Sequence, residues 1–120
     1  MEDSKIYHII IFLDNKRMEK IKGTTLENKI VDMFGGTLKG LIIEIPSTYA
    51  RKILEEFPRA RIDARGFIEE VPVTFKKILF EEISNKGKFD SEVLDNVLKN
   101  VTKIKLSVEK EEEYLPPPET

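Results

Sequence analysis

Apolar residues fall in two rhythms along this chain, period two and period 3.6, and the changes between them mark its elements. Lys5-Ile-Tyr-His-Ile-Ile-Ile-Phe-Leu13 is β-branched and aromatic and apolar on both alternating faces, which predicts a central strand closed by the turn formers Asp14-Asn15. Lys16 to Lys22 is polar except at Met18 and Ile21; it fits the exposed return arm of a hairpin, with a solvated helical turn as the alternative. Thr24-Thr25-Leu26-Glu27 then matches a capping box. Leu26, Ile30, Met33 and Phe34 share one helical face, so a first helix is predicted, ended by Gly35-Gly36.

Leu38 to Ile45 reads as a second apolar strand closed by Pro46. Ser47 is placed to cap a helix whose Ala50, Ile53, Leu54 and Phe57 keep helical spacing until Pro58. Arg59-Ala-Arg-Ile-Asp-Ala-Arg65 alternates at period two and, with the strand-like run Phe67 to Val73, predicts an extended pair joined near Gly66. Phe75, Ile78, Leu79 and Ile83 recover helical spacing until Asn85-Lys86-Gly87. Asp90 or Ser91 caps a last helix with Leu94, Val97, Leu98 and Val101 inward. Ile104, Leu106 and Val108 then alternate with Lys103, Lys105 and Ser107 as a final half-exposed strand.

These elements predict an α+β fold: a ferredoxin-like split βαβ core, with helices on one face of a mixed or antiparallel sheet, and a C-terminal helix–strand extension that puts the last strand at an edge. Residues 1–109 form one domain in this reading, followed by an acidic, proline-rich mobile tail over 110–120.

Composition narrows the class. A chain of 120 residues with 40% hydrophobic and 35% charged residues can bury one core. It has no Cys, Trp or Gln and many ions, a balance resembling that of thermophile proteins. The missing cysteine excludes disulfides, thiolate nucleophiles and cysteine metal sites. Met1-Glu2-Asp3 is acidic where a signal peptide is basic, and the apolar run Ile6 to Leu13 is too short for a bilayer, so a cytoplasmic protein without membrane contact is expected. A net charge of −2 provides no global attraction to nucleic acid.

Chemistry is sparse. The single histidine, His8, lies among apolar strand residues and reads as a packed or edge-of-sheet side chain rather than a base or ligand. Glu55-Glu56, Glu69-Glu70 and Glu81-Glu82 are sequence neighbours that point to different faces, and none has metal-ligand spacing. No catalytic residue, metal site or cofactor is predicted. The distinctive polar feature is Arg59, Arg61 and Arg65, which with Asp63 would project from one face of an extended segment, Ala60, Ile62 and Ala64 facing inward. Arg51 and Lys52 on the preceding helix would extend this stripe. It could hold phosphates or a carboxylate-rich partner, or simply pair with the chain's own glutamates. Tyr114-Leu115-Pro116-Pro117-Pro118 could dock as a linear motif in a partner's groove.

The words Lys5-Ile-Tyr-His-Ile-Ile-Ile-Phe-Leu-Asp-Asn15, Gly35-Gly36 and Gly40-Leu-Ile-Ile-Glu-Ile-Pro-Ser-Thr-Tyr-Ala-Arg-Lys-Ile-Leu-Glu-Glu-Phe-Pro58 resemble the subtilisin propeptide, or I9 protease-inhibitor, family over residues 5–73. The resemblance implies a ferredoxin-like domain that packs its sheet on a protease and feeds a C-terminal extension into the active-site cleft. Because the sequence shows so little chemistry, the first expectation for function is a non-enzymatic regulatory or adaptor module that binds another protein through the arginine stripe, the acidic proline-rich tail or both, in one version as its inhibitor. The second is a nucleic-acid-associated subunit that binds phosphates through the arginine stripe. A third is a small enzyme completed at an oligomer interface through His8 or a glutamate, and self-association is left open.

Overall fold

The computed structural model describes residues 5–112, with side chains through residue 104. A three-stranded antiparallel sheet in the order β1-β3-β2 is built from β1 (Ile6–Leu13), β2 (Ile30–Met33) and β3 (Leu38–Pro46). β1 pairs with β3 along its whole length, Tyr7 opposite Ile45 and Ile11 opposite Leu41, while β2 takes the other side of β3 with Ile30 opposite Leu41. β1 and β2 thus run parallel with β3 antiparallel between them, so the fold is α+β, but the strands predicted at Lys5–Leu13 and Leu38–Ile45 are direct antiparallel neighbours and not the two separated strands of the expected split unit. β1 is an edge strand, however, not the central one that its two-sided apolar pattern predicts.

Between β1 and β2 the structure departs from the predicted elements twice. Asn15–Ile21 forms a helix, α1, instead of a hairpin arm. Asp14 caps it by accepting the Arg17 backbone N–H at 2.8 Å, and the three-residue spacing of Met18 and Ile21 turns both toward the core, where Ile21 is buried. Thr24 does cap, but without the reciprocal bonds of a capping box: Thr24 Oγ1 accepts the Leu26 N–H at 3.2 Å, and the Glu27 carboxylate accepts the Gly23 N–H. They nucleate only a 3-10 turn, Thr25–Lys29. The chain then becomes β2, because β3 offers a full row of backbone partners to β-branched Ile30 and Val31, and one helical turn alone is costly to extend. Gly35-Gly36 is not a helix stop but the tip of the β2–β3 hairpin, where Phe34, Gly35 and Gly36 all take positive φ.

After β3 come α2 (Ser47–Glu56), a small hairpin of β4 (Arg61–Ile62) and β5 (Ile68–Glu69), α3 (Val73–Lys86) and α4 (Ser91–Glu112). Pro46 occupies the cap position of α2, and Ser47, predicted to cap it, is the first helical residue and is buried. Gly87 ends α3 in the left-handed conformation, and Asp90 caps α4 by accepting the Val93 N–H at 3.0 Å. The final strand predicted over Lys103 to Val108 does not form: α4 continues unbroken through these residues, since extending an established helix adds one hydrogen bond per residue fixed. Its end at Glu112 also lies past the predicted domain limit at residue 109. Residues 113–120, including Tyr114, Leu115, Pro116, Pro117 and Pro118, lie outside the described residues.

The helices bury one face of the sheet. Ala50, Ile53, Phe75, Leu79, Phe80, Ile83, Leu94 and Val97 share a single apolar cluster with Tyr7, Ile9, Ile11, Leu41, Ile43 and Ile45. Phe57 and Phe75 meet edge to face at 5.1 Å within it.

Candidate interaction surface

Side chains alternate across a strand, so burying Tyr7, Ile9, Ile11 and Leu13 turns Ile6, His8, Ile10 and Phe12 to the other face. Opposite them on β3 stand Pro46, Glu44, Ile42 and Gly40, and β2 adds Val31 and Met33. Ile6, Phe12 and Val31 are 45%, 44% and 37% exposed there, and Phe34 at the hairpin tip is 70% exposed. A contiguous apolar sheet face of this kind marks an interaction site more often than scattered surface leucines do. The sequence signal for it was the two-sided apolar pattern of β1; what periodicity cannot tell is that the helices cover one face only.

Three details shape this face. Gly40 gives it a low centre: a Cβ at that position would lie 2.7 Å from the Met33 sulfur, so the thioether crosses the strand there. At the β1 edge, the His8 backbone N–H donates to the Gly66 carbonyl at 2.9 Å, and the imidazole packs on the Phe67 ring with centroids 5.4 Å apart. His8 Nδ1 is buried and has no hydrogen-bond partner among the described residues. Charge sits at opposite ends. Glu44 is exposed beside His8, whereas the Lys76 ammonium reaches from α3 to within 6.0 Å of the Phe12 ring centroid. Burial holds the Lys76 ammonium below the ordinary lysine value, partly opposed by the nearby Glu69 carboxylate.

The arginine stripe takes a different shape from the predicted one. Only Arg61 and Ile62 are in a strand, and the chain turns at Asp63, so Ala64 is exposed instead of facing inward and Arg65 lies in the turn. Asp63 organises that turn by accepting the N–H groups of Arg65 at 2.8 Å and Phe67 at 2.9 Å. These bonds, that from Phe67 foremost, hold its carboxyl below the usual aspartate value. Arg65 pairs with Asp63 at 3.2 Å and lies over the Phe67 ring; Arg61 pairs with Glu69 at 3.5 Å. Arg59 lines a cleft of about 590 Å³ with Phe57, Pro58, Glu70, Val71, Pro72 and Val73. On α2, Lys52 pairs with Asp95 of α4 at 3.2 Å, and Arg51 is exposed.

Among the described residues, no three His, Asp or Glu side chains are grouped to hold a metal ion, and no helix is long and apolar enough to cross a membrane. Fold and surface together define the class: an α+β domain with a three-stranded sheet, covered by helices on one face and apolar on the other. The chain belongs to a family described as a family of unknown function (DUF6955), which it matches over residues 7–98, from β1 into α4. No curated protein and no solved structure matches it.

Proposed function

We propose that this chain is a non-enzymatic protein-binding module, an adaptor or inhibitor that docks its partner on the open sheet face. One observation carries the reading: Ile6, Ile10, Phe12, Val31, Met33 and Ile42 form a continuous apolar surface, with His8 and Glu44 as its polar members. Covering that surface removes apolar area from water at roughly 25 cal/mol per Å². The arginines are secondary, because Arg61 and Arg65 already face Glu69 and Asp63. The test is affinity capture with three baits: the wild type, an Ile10→Glu/Phe12→Glu variant and an Arg59→Glu/Arg61→Glu/Arg65→Glu variant, each with and without nuclease. A protein held by the wild type and the arginine variant but lost by the face variant supports the reading. The reverse pattern moves the site to the arginines, and loss on nuclease treatment moves the function to nucleic acid.

The resemblance to subtilisin propeptides makes one version of this reading concrete, because in that family the sheet packs on the protease. Dose-dependent inhibition of a subtilisin-class protease, lost in the face variant, supports that version. No inhibition by a large molar excess of the folded chain rejects it.

A further inference from the structure

The docking reading leaves the partner open, and the charge pattern of the face points to one. We infer that the open sheet face pairs with the same face of a second copy of this chain in a twofold dimer, an inference that rests on the docking role proposed for it. A twofold interface must be complementary to itself, so each charge needs its opposite where the symmetry axis brings it. Glu44 stands near the Ile6 end of the face and the Lys76 ammonium at the Phe12 end, with the Ile10–Ile42 pair between them. An axis lying between two stacked sheets and across their strands reverses strand direction. Glu44 of one copy then comes over Gly40 of the partner subunit, one strand across from the partner's Phe12, beside whose ring the partner's Lys76 ammonium lies, and the isoleucines meet isoleucines near the centre. Gly40 adds no side chain of its own to the face, and the Met33 thioether lies across it.

Size sets the expected strength. The eight residues of β1 and the three strand widths give a footprint of roughly 27 by 14 Å, about 400 Å² a side. That is near half of a standard interface, so the dimer should dissociate on the order of tens of micromolar rather than persist as an obligate pair.

Sedimentation equilibrium of the full chain from about 2 μM to about 1 mM tests this, because self-association shows as a mass that rises with concentration. The expected mass climbs from one chain to two across that range. Glu44→Lys and Lys76→Glu should each weaken association about tenfold, and the double variant, which restores opposite charges in each pair, should recover to within about threefold. Glu44 is exposed, so Glu44→Lys keeps the test readable even where Lys76→Glu, beside Glu69, disturbs folding. A chain that stays monomeric at the highest concentration overturns the inference, while the capture experiment still decides the docking reading. A dimer that Ile10→Glu leaves intact forms elsewhere on the molecule and overturns it too, as does a double swap that fails to recover.

Discussion

Ile9 and Ile10 are the same residue type on consecutive positions of β1, yet they end in different environments. Ile9 is fully buried under the helices, and Ile10 lies opposite Ile42 on the open face. Such a pair shows that the alternation of a strand divides residues into two faces without saying which face will be covered. Coverage depends on what else the chain can bring. Here the helices pack into one cluster, and that cluster reaches only one side of the sheet.

The sharpest way to break the comparison is to truncate each isoleucine in turn. Ile9→Ala should lower unfolding stability by about 3 kcal/mol, because it leaves a cavity in a packed core, and Ile10→Ala by under about 1 kcal/mol. Urea denaturation measures both, and equal losses would mean that the open face is packed after all. Next in size is Gly66→Ala. Gly66 takes φ of +91° and offers the carbonyl that His8 bonds at the border of the open face, so a side chain there should cost about 1–2 kcal/mol and lower the melting temperature by several degrees.

A smaller effect is expected from Gly40→Ala, whose new methyl is crowded only by the flexible Met33 side chain, its contact with Ile10 at 3.8 Å being an ordinary one. Its cost should stay below about 1 kcal/mol and shrink further in combination with Met33→Ala, since a flexible thioether can move aside. The smallest and most local effect is acidic. Asp63 has a lowered pKa in the folded chain, so its contribution is present above the ordinary aspartate value and is lost as pH falls through the lower folded one. Protection of the Phe67 and Arg65 amides, measured as exchange relative to the intrinsic rate at each pH, should therefore fall in acid ahead of that at Ile9 and Ile43, and Asp63→Asn should remove that pH dependence.

Much of the fold was legible because it is specified locally. The strands at Ile6–Leu13 and Leu38–Pro46, the helices α2 and α3, the Gly87 stop and the Asp90 cap each rest on residues within a few positions of one another. The candidate surface was half legible: its residues stood out as the second apolar face of β1, but that strand read as central and buried. Phe34 was harder still, since a helical face predicted it inward and the hairpin puts it outward at the tip. The arginine stripe was misread for a related reason. Period-two alternation from Arg59 to Arg65 looks like one strand, yet Asp63 can accept two backbone N–H groups and turn the chain instead.

By itself the sequence determined the α+β class, the caps at Thr24 and Asp90, the helix stop at Gly87 and the absence of cysteine chemistry, all of which depend on residue identity and short-range hydrogen bonding. Only the tertiary structure decided that Ile30–Met33 would be a strand, that the chain beyond Lys103 would stay helical and that one face of β1 would remain open. Those outcomes turn on partners remote in sequence. A row of free N–H and C=O groups on β3 captures Ile30–Met33, the end of α4 prolongs a helix already nucleated upstream, and the apolar helix faces are satisfied once a single side of the sheet is covered.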